Sequence, residues 1–188
     1  MKLLRAIAHW YKLRRHRLGM GVHSPFAYRM VRDVIYGNGL YYSFYGQYRL
    51  TKGFPKRMSR VYRVLFRLIA RLAPEGVRIA GSVEPQMETL VRLADTRPVL
   101  GRGLGGYDKH SRVLTICEAT DLCGADGLPR NILKDGNMLV VRELRQAPSV
   151  LVRIKETMKG GWLFTDKYMA IAVSDDRQQM CVTETKMV

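Results

Sequence analysis

Four arginines, Arg60, Arg63, Arg67 and Arg71, recur every three or four residues. On a helix that spacing lines their guanidinium groups along one face at about 5–6 Å intervals, near the separation of successive phosphates in a nucleic acid strand. Arg14, Arg15 and Arg17 extend the same chemistry toward the start of the chain. Six such side chains neutralising phosphates would make affinity fall with salt at a log–log slope of roughly −4 for single-stranded RNA or about −5 for duplex DNA. The bland alternative is that the long arginine stems cover aromatic and aliphatic surface while their heads stay in water.

Other chemistry is sparse. GRGLGG at 101–106 fits G-x-G-x-x-G through Gly101, Gly103 and Gly106. That fingerprint needs a helix directly after it, so that the helix N-terminus meets phosphate; YDKHSRV is too short and polar, and a loop is the better reading. Glu118 and Asp121, in CEATD, fall at the carboxyl end of a predicted strand, where open α/β sheets hold ligands. A carboxylate pair there can serve as a general base or a weak metal site, but no partner motif accompanies it. His110 reads as a solvated loop residue and His23 as a hydrogen-bonding residue of an interhelical turn. No G-x-S-x-G elbow and no cysteine with a histidine partner points to acyl transfer. Cys117, Cys123 and Cys181 lack C-x-x-C spacing and read as buried free thiols. No catalytic residue and no metal ligand is assigned.

The elements that must position these groups follow from charge and periodicity. Residues 1–78 carry 17 Lys and Arg against only Asp33 and Glu75, so nearly all of the chain's net charge of +16 sits there. The cations are interleaved with apolar residues, which points to a folded cationic face meeting an anionic partner. The 188 residues, 47% of them hydrophobic, suit one core. No apolar run is long enough to span a bilayer and no signal peptide is apparent, so a cytoplasmic protein is expected.

In residues 1–18, Leu3, Ile7 and Trp10 recur at helical spacing among basic residues, giving a basic amphipathic helix. Ser24-Pro25 opens a second helix, predicted to run to about Ile35. Residues 37–56 read as an irregular connection, in which Tyr41, Tyr42, Phe44, Tyr45 and Tyr48 form a satellite cluster. A third helix spans Ser59 to Leu72, ended by Pro74 and Gly76. From there short apolar runs alternate with helical ones, the signature of βαβ units. Predicted strands are Val77–Ala80, Pro98–Leu100, Arg112–Cys117 and Met138–Arg142; predicted helices are Pro85–Ala94, a short piece around Leu128–Leu133, and Ser149–Met158. TDKYMAIAVS and QQMCVTET, separated by Asp175-Asp176, predict a terminal antiparallel hairpin.

GVHSPF at 21–26, after a basic helix and before a helix, a tyrosine-rich connection and an amphipathic helix, resembles the N-terminal extension of a family of small bacterial class I S-adenosylmethionine-dependent methyltransferases. The resemblance covers roughly residues 10–75 and, in layout, 130–188. It implies a Rossmann-like sheet with an antiparallel C-terminal pair, and a glycine turn after the first strand that approaches the cofactor where a Cβ would intrude. Here that turn is RIAGSVEPQ, which keeps only Gly81 and Ser82, with Arg78 where the family has an acid. No carboxylate falls near Leu100–Arg102 to hold the ribose, the segment before Arg112 is too short for a third βα unit, and RELRQ at 142–146 leaves Glu143 as the only acid of a family DDxH-like segment.

The sequence therefore predicts an α/β fold, with residues 1–75 a basic helical extension and 76–188 a shortened methyltransferase-like domain. Its expected function is binding of RNA or another polyanion through Arg14, Arg15, Arg17, Arg60, Arg63, Arg67 and Arg71, without a cofactor. The alternative is an active S-adenosylmethionine-dependent methyltransferase that holds its cofactor through Gly81, Ser82 and Glu118. An anionic membrane surface, met by Leu3, Ile7 and Trp10, is the lesser candidate for a partner.

Overall fold

Ser24 and Pro25 start the first described helix as their residue types require. In the computed structural model, which describes residues 24–37, 49–81, 86–104, 112–123, 128, 132–185 and 187, Ser24 Oγ accepts a hydrogen bond from the Ala27 N–H at 3.4 Å and Pro25 occupies the first turn. This helix, α1 (Pro25–Arg29), continues as a π-helical stretch, Met30–Ile35, rather than as the regular helix the sequence predicts. The basic first helix with Arg14, Arg15 and Arg17, the His23 turn and the cluster from Tyr41 to Tyr48 lie outside the described residues.

The arginine-bearing helix α2 (Lys56–Leu72) begins three residues earlier than predicted and ends where Ala73 turns left-handed, φ 46°. One of its faces is wholly apolar, burying Val61, Tyr62, Val64, Leu65, Phe66, Leu68 and Ile69. Each such side chain contributes about 1.5–3 kcal/mol when fully buried, so α2 is held chiefly by that face.

Seven strands follow: β1 (Gly76–Ile79), β2 (Val99–Arg102), β3 (Val113–Glu118), β4 (Met138–Arg142), β5 (Gly161–Thr165), β6 (Met169–Ser174) and β7 (Cys181–Glu184). They form one mixed, mostly parallel sheet in the order β2-β1-β3-β4-β6-β5-β7. Pairings β1–β2, β1–β3, β3–β4 and β5–β7 are parallel, while β6 runs antiparallel between β4 and β5. Helix α3 (Gln86–Ala94) links β1 to β2, and α4 (Ser149–Thr157) links β4 to β5.

Strand alternation divides the core. Met138 and Val140 of β4 and Met169, Ile171 and Val173 of β6 face α1, α2 and α3. Leu139 and Val141, with Ala170 and Ala172, face the layer that contains α4. Both faces being covered, the central strands are predominantly apolar, as a buried, mainly parallel sheet demands, with Arg78, Thr115, Arg142 and Ser174 buried among them. The helices before residue 75 thus share a core with the sheet. Trp162 of β5 fixes them further: its Nε1–H donates to Ser24 Oγ at 3.1 Å and its ring lies 4.2 Å from that of Phe26.

Three sequence expectations are corrected. The C-terminal hairpin joins β5 and β6 through Asp166–Tyr168, and the last strand, β7, pairs with β5 at the edge instead of turning back on β6. Asp175-Asp176 resembles a hairpin turn but leads away, its neighbour Gly160 receiving the returning chain through the Asp175 N–H at 3.3 Å. The described residues of the stretch 128–133 are not helical; the short helical turn falls at Ala119–Leu122. Of the cysteines only Cys117 is buried, because Cys123 follows that turn at an exposed position and Cys181 lies on the edge strand.

Candidate functional site

The carboxyl ends of β1 and β3 are the first place to look, because from β1 the chain passes outward to β2 and then returns to β3 on the other side. Ligands of open α/β sheets bind at such a reversal. Gly81, two residues past the end of β1, has φ +70°, the left-handed conformation that favours glycine. The space beside it is taken: a Cβ built on Gly81 would stand 2.0 Å from the carboxylate oxygens of Asp121. Asp121 is held there by its own turn, Oδ2 accepting from the Glu118 N–H at 2.9 Å while the Glu118 carboxylate caps the turn in return. Glu118 also lies 3.7 Å from the guanidinium of Arg142, its register partner on β4, which is 2% exposed and reaches Met58 of α2.

Of the sequence-predicted cofactor residues, then, Gly81 and Glu118 meet at one end of the sheet, and Ser82 lies outside the described residues. Cys117, beneath them, has its thiol pushed far up by burial and by the charges of Asp121 and Glu118, which makes it inert. At the end of β2 the residue is Arg102, which bonds Glu88 at 2.6 Å. Gly101 is part of β2 and Gly103 turns at φ +84°, so the first glycine of G-x-G-x-x-G is in a strand and not in a strand-to-helix turn. Gly106 and His110 lie outside the described residues. The position a Cβ would take on Gly81 is held by the Asp121 carboxylate, so a ligand would have to displace that side chain to reach the Gly81 backbone from that side. Among the described residues no group of three His, Cys, Asp or Glu is placed to hold a metal ion.

The second place is concave and basic. Between α2 and the π-helical continuation of α1 a cleft of about 530 Å³ is lined by Arg32, Ile35, Tyr36, Gly37, Arg60, Arg63 and Arg67, and none of its described lining residues is acidic. The sequence reading missed Arg32, whose placement depends on the fold of α1 against α2. Within the cleft the arginines differ. Arg67 donates to the carbonyls of Val34 and Ile35 at 2.6 and 3.2 Å, capping the end of the π-helical stretch. Arg63 is exposed and, among the described residues, donates within its own helix, to the Ser59 carbonyl. Arg32 lies beside Asp33 at 2.6 Å, and Arg71 approaches the same acid at 3.9 Å. Hydrogen bonding from Arg32, with the charges of Arg32, Arg71 and Arg29, outweighs burial and holds Asp33 below the usual carboxylate range. Tyr36 is fixed by a 2.7 Å hydrogen bond between its hydroxyl and Thr185 Oγ1.

The structure thus brings Arg60, Arg63 and Arg67 together on one wall and sets Arg71 one turn on. A smaller hollow of about 340 Å³, lined by Ala73, Pro74, Glu75 and Arg97, lies at the opposite, amino end of β1 and brings no such group together. No helix of the described residues is long and apolar enough to cross a membrane. Compared with protein families, with curated proteins and with solved structures, the chain matches none.

Proposed function

We propose that this protein binds a polyanion, single-stranded RNA in the first instance, along the arginine face of α2, on a shortened methyltransferase-like scaffold that has given up its cofactor. The observation that carries the reading is the cleft between α2 and the π-helical continuation of α1: four arginines line one concavity, with Asp33, paired with Arg32, the acid at its side among the described residues. Isolated surface arginines are commonplace, whereas several of one sign in a concave site focus the field and draw an anion. The scaffold reading rests on strand order. In the classic doubly wound order 3-2-1-4-5-6, omitting the third strand leaves 2-1-4-5, which is the arrangement of β2, β1, β3 and β4. That deletion agrees with the short segment between β2 and Arg112. Phosphate contacts carry no base information, so binding is expected to be tolerant of sequence.

The test is titration of a fluorescent single-stranded RNA at several salt concentrations. Four phosphate contacts give a log–log slope of roughly −3, and six give about −4. Affinity that stays constant between low and high salt would overturn the reading.

A second reading, an active methyltransferase, is favoured by one feature: a glycine with φ +70° two residues past β1, at the reversal of strand order. Saturating S-adenosylhomocysteine separates the two. At 100 times its dissociation constant a bound ligand adds about 2.7 kcal/mol, several degrees in melting temperature for a chain of this size. The filled approach to Gly81 predicts no shift; a clear shift would favour the enzyme.

A further inference from the structure

Where β4 ends, the chain turns through Glu143 in the left-handed conformation, φ 53°, and enters a short turn, Leu144–Gln146. That turn sets Arg145 against the hairpin between β5 and β6, with the Leu144 N–H donating to the Tyr168 carbonyl at 3.0 Å. The N-terminus of α2 adds Arg57. The result is a ring of cations about one aromatic residue: the Arg57 guanidinium lies 4.8 Å from the Tyr168 ring centroid, that of Arg145 5.4 Å and the Lys167 ammonium 4.8 Å. Two acids are near. Glu143 bonds Arg57 at 2.6 Å. Asp166 is turned into the backbone, its Oδ1 accepting from the N–H groups of Tyr168 and Met169 at 2.7 and 2.8 Å and its Oδ2 from that of Met187 at 2.8 Å. Among the described residues neither Arg145 nor Lys167 is in an ion pair. The same cations, Lys167 foremost through its hydrogen bond, lower the affinity of the half-exposed Tyr168 phenol for its proton.

This cluster differs from the α2 face in charge density. Along α2 one guanidinium follows another every three or four residues, which suits the single charge of each phosphodiester. Here three cations surround one ring, each within 5.4 Å of its centroid, while among the described residues Glu143 pairs with only one of them, Arg57, which suits a group of nearly two negative charges. A terminal phosphate monoester carries about −1.5 to −2 at neutral pH. The two regions are also continuous, because Arg57 and Arg60 are neighbours on successive turns of the same helix.

We propose that Arg57, Arg145 and Lys167, gathered about Tyr168, form a phosphate-monoester site that captures the phosphorylated end of a strand lying on α2. The inference rests on the polyanion reading above, and its test separates the two. A short single-stranded RNA carrying a terminal phosphate is compared with the same RNA ending in hydroxyls, at about 0.15 M salt, with the phosphate placed in turn at either end. One phosphorylated end is expected to bind about tenfold more tightly, the scale of one strong charge-assisted hydrogen bond. That gain is expected to vanish in the double variant R145Q/K167Q, whose hydroxyl-ended RNA still binds within about twofold of the parent; both side chains are exposed, and an unchanged melting temperature confirms that the variant folds. Equal binding of all three RNAs by the parent protein would overturn the end site while leaving the polyanion reading intact. Should hydroxyl-ended RNA not bind at any salt, the polyanion reading falls. Inorganic phosphate titrated against the Tyr168 ring resonance then decides the cluster alone: a saturable shift lost in R145Q/K167Q upholds an oxyanion site there, and no shift removes it.

Discussion

The crevice at the carboxyl ends of β1 and β3 and the cleft between α1 and α2 are both places where a fold of this kind can take a ligand, and they have been finished in opposite ways. In the crevice, the side chains are engaged internally: Asp121 and Glu118 cap each other's backbone, and Glu118 faces a buried guanidinium from Arg142. The side chain of Asp121 covers the glycine that would otherwise let a ligand approach the backbone. In the cleft, the apolar halves of α1 and α2 supply the stability, and among the described residues Asp33 is the acid paired with Arg32 and Arg71. Charged groups that satisfy one another stabilise a fold; like charges gathered in a concavity cost stability and are useful only with a partner. A site is better recognised by what its own protein leaves uncompensated than by which motif it resembles.

The largest effect expected from breaking this contrast lies in the crevice. Gly81→Ala places a Cβ on the Asp121 carboxylate and forces an L-residue into φ +70°, so it should destabilise by about 3 kcal/mol, partly backbone strain and partly the lost cap. Asp121→Ala alone should cost about 1.5 kcal/mol. The double variant should be less destabilised than the sum by roughly 1 kcal/mol or more, since removing the carboxylate removes the collision. Urea unfolding of the four proteins measures the coupling. Strict additivity would mean that Asp121 does not close the crevice.

The cleft makes a subtler contrast between two arginines one turn apart. Arg67→Gln loses two charged hydrogen bonds to the carbonyls of Val34 and Ile35, and should cost about 2 kcal/mol, or roughly 4–8 °C in melting temperature. Arg63→Gln loses only a contact within its own helix and should leave the melting temperature within about 1 °C. It should nevertheless weaken RNA binding severalfold and reduce the salt slope by about 0.7. If both variants lowered stability alike with no change in slope, the cleft would be structural throughout.

Much of the scaffold was legible. Ser24-Pro25 marks a helix start because capping and proline geometry are local. Residues 138–142 form a strand with the predicted bounds because β-branched and apolar runs between turns are local too. What escaped depends on distant partners. Nothing in MVRDVI announces a π-helical stretch, whose end is tied down by a guanidinium 33 residues away. The C-terminal pairing was misread because Asp175-Asp176 carries turn chemistry, while the true hairpin at Asp166–Tyr168 is fixed by Asp166 bonds, including one to Met187. Of the candidate sites, the α2 arginine stripe follows from periodicity alone. Closure of Gly81 by Asp121, and the meeting of Arg57, Arg145 and Lys167 at Tyr168, join segments whose contact no short-range pattern encodes.

The smallest expected effect is the most direct probe of the balance in the cleft. Asp33 is the acid that offsets Arg32 and Arg71, so Asp33→Asn should strengthen RNA binding by about two- to threefold and make the salt slope slightly steeper, the reverse of every arginine variant. Its cost in stability should stay below about 1 kcal/mol, because the pair is partly exposed and screened. The sign with pH follows from the lowered affinity of Asp33 for its proton: the stabilisation is fully present above the ordinary carboxylate range and is lost as pH falls through the depressed value in the folded protein. Wild type and variant should therefore differ in stability at neutral pH and converge in strong acid. Weaker RNA binding by the variant at neutral pH would mean that Asp33 orients Arg32 for the ligand rather than competing with it, and that the cleft is a preorganised site in its own right.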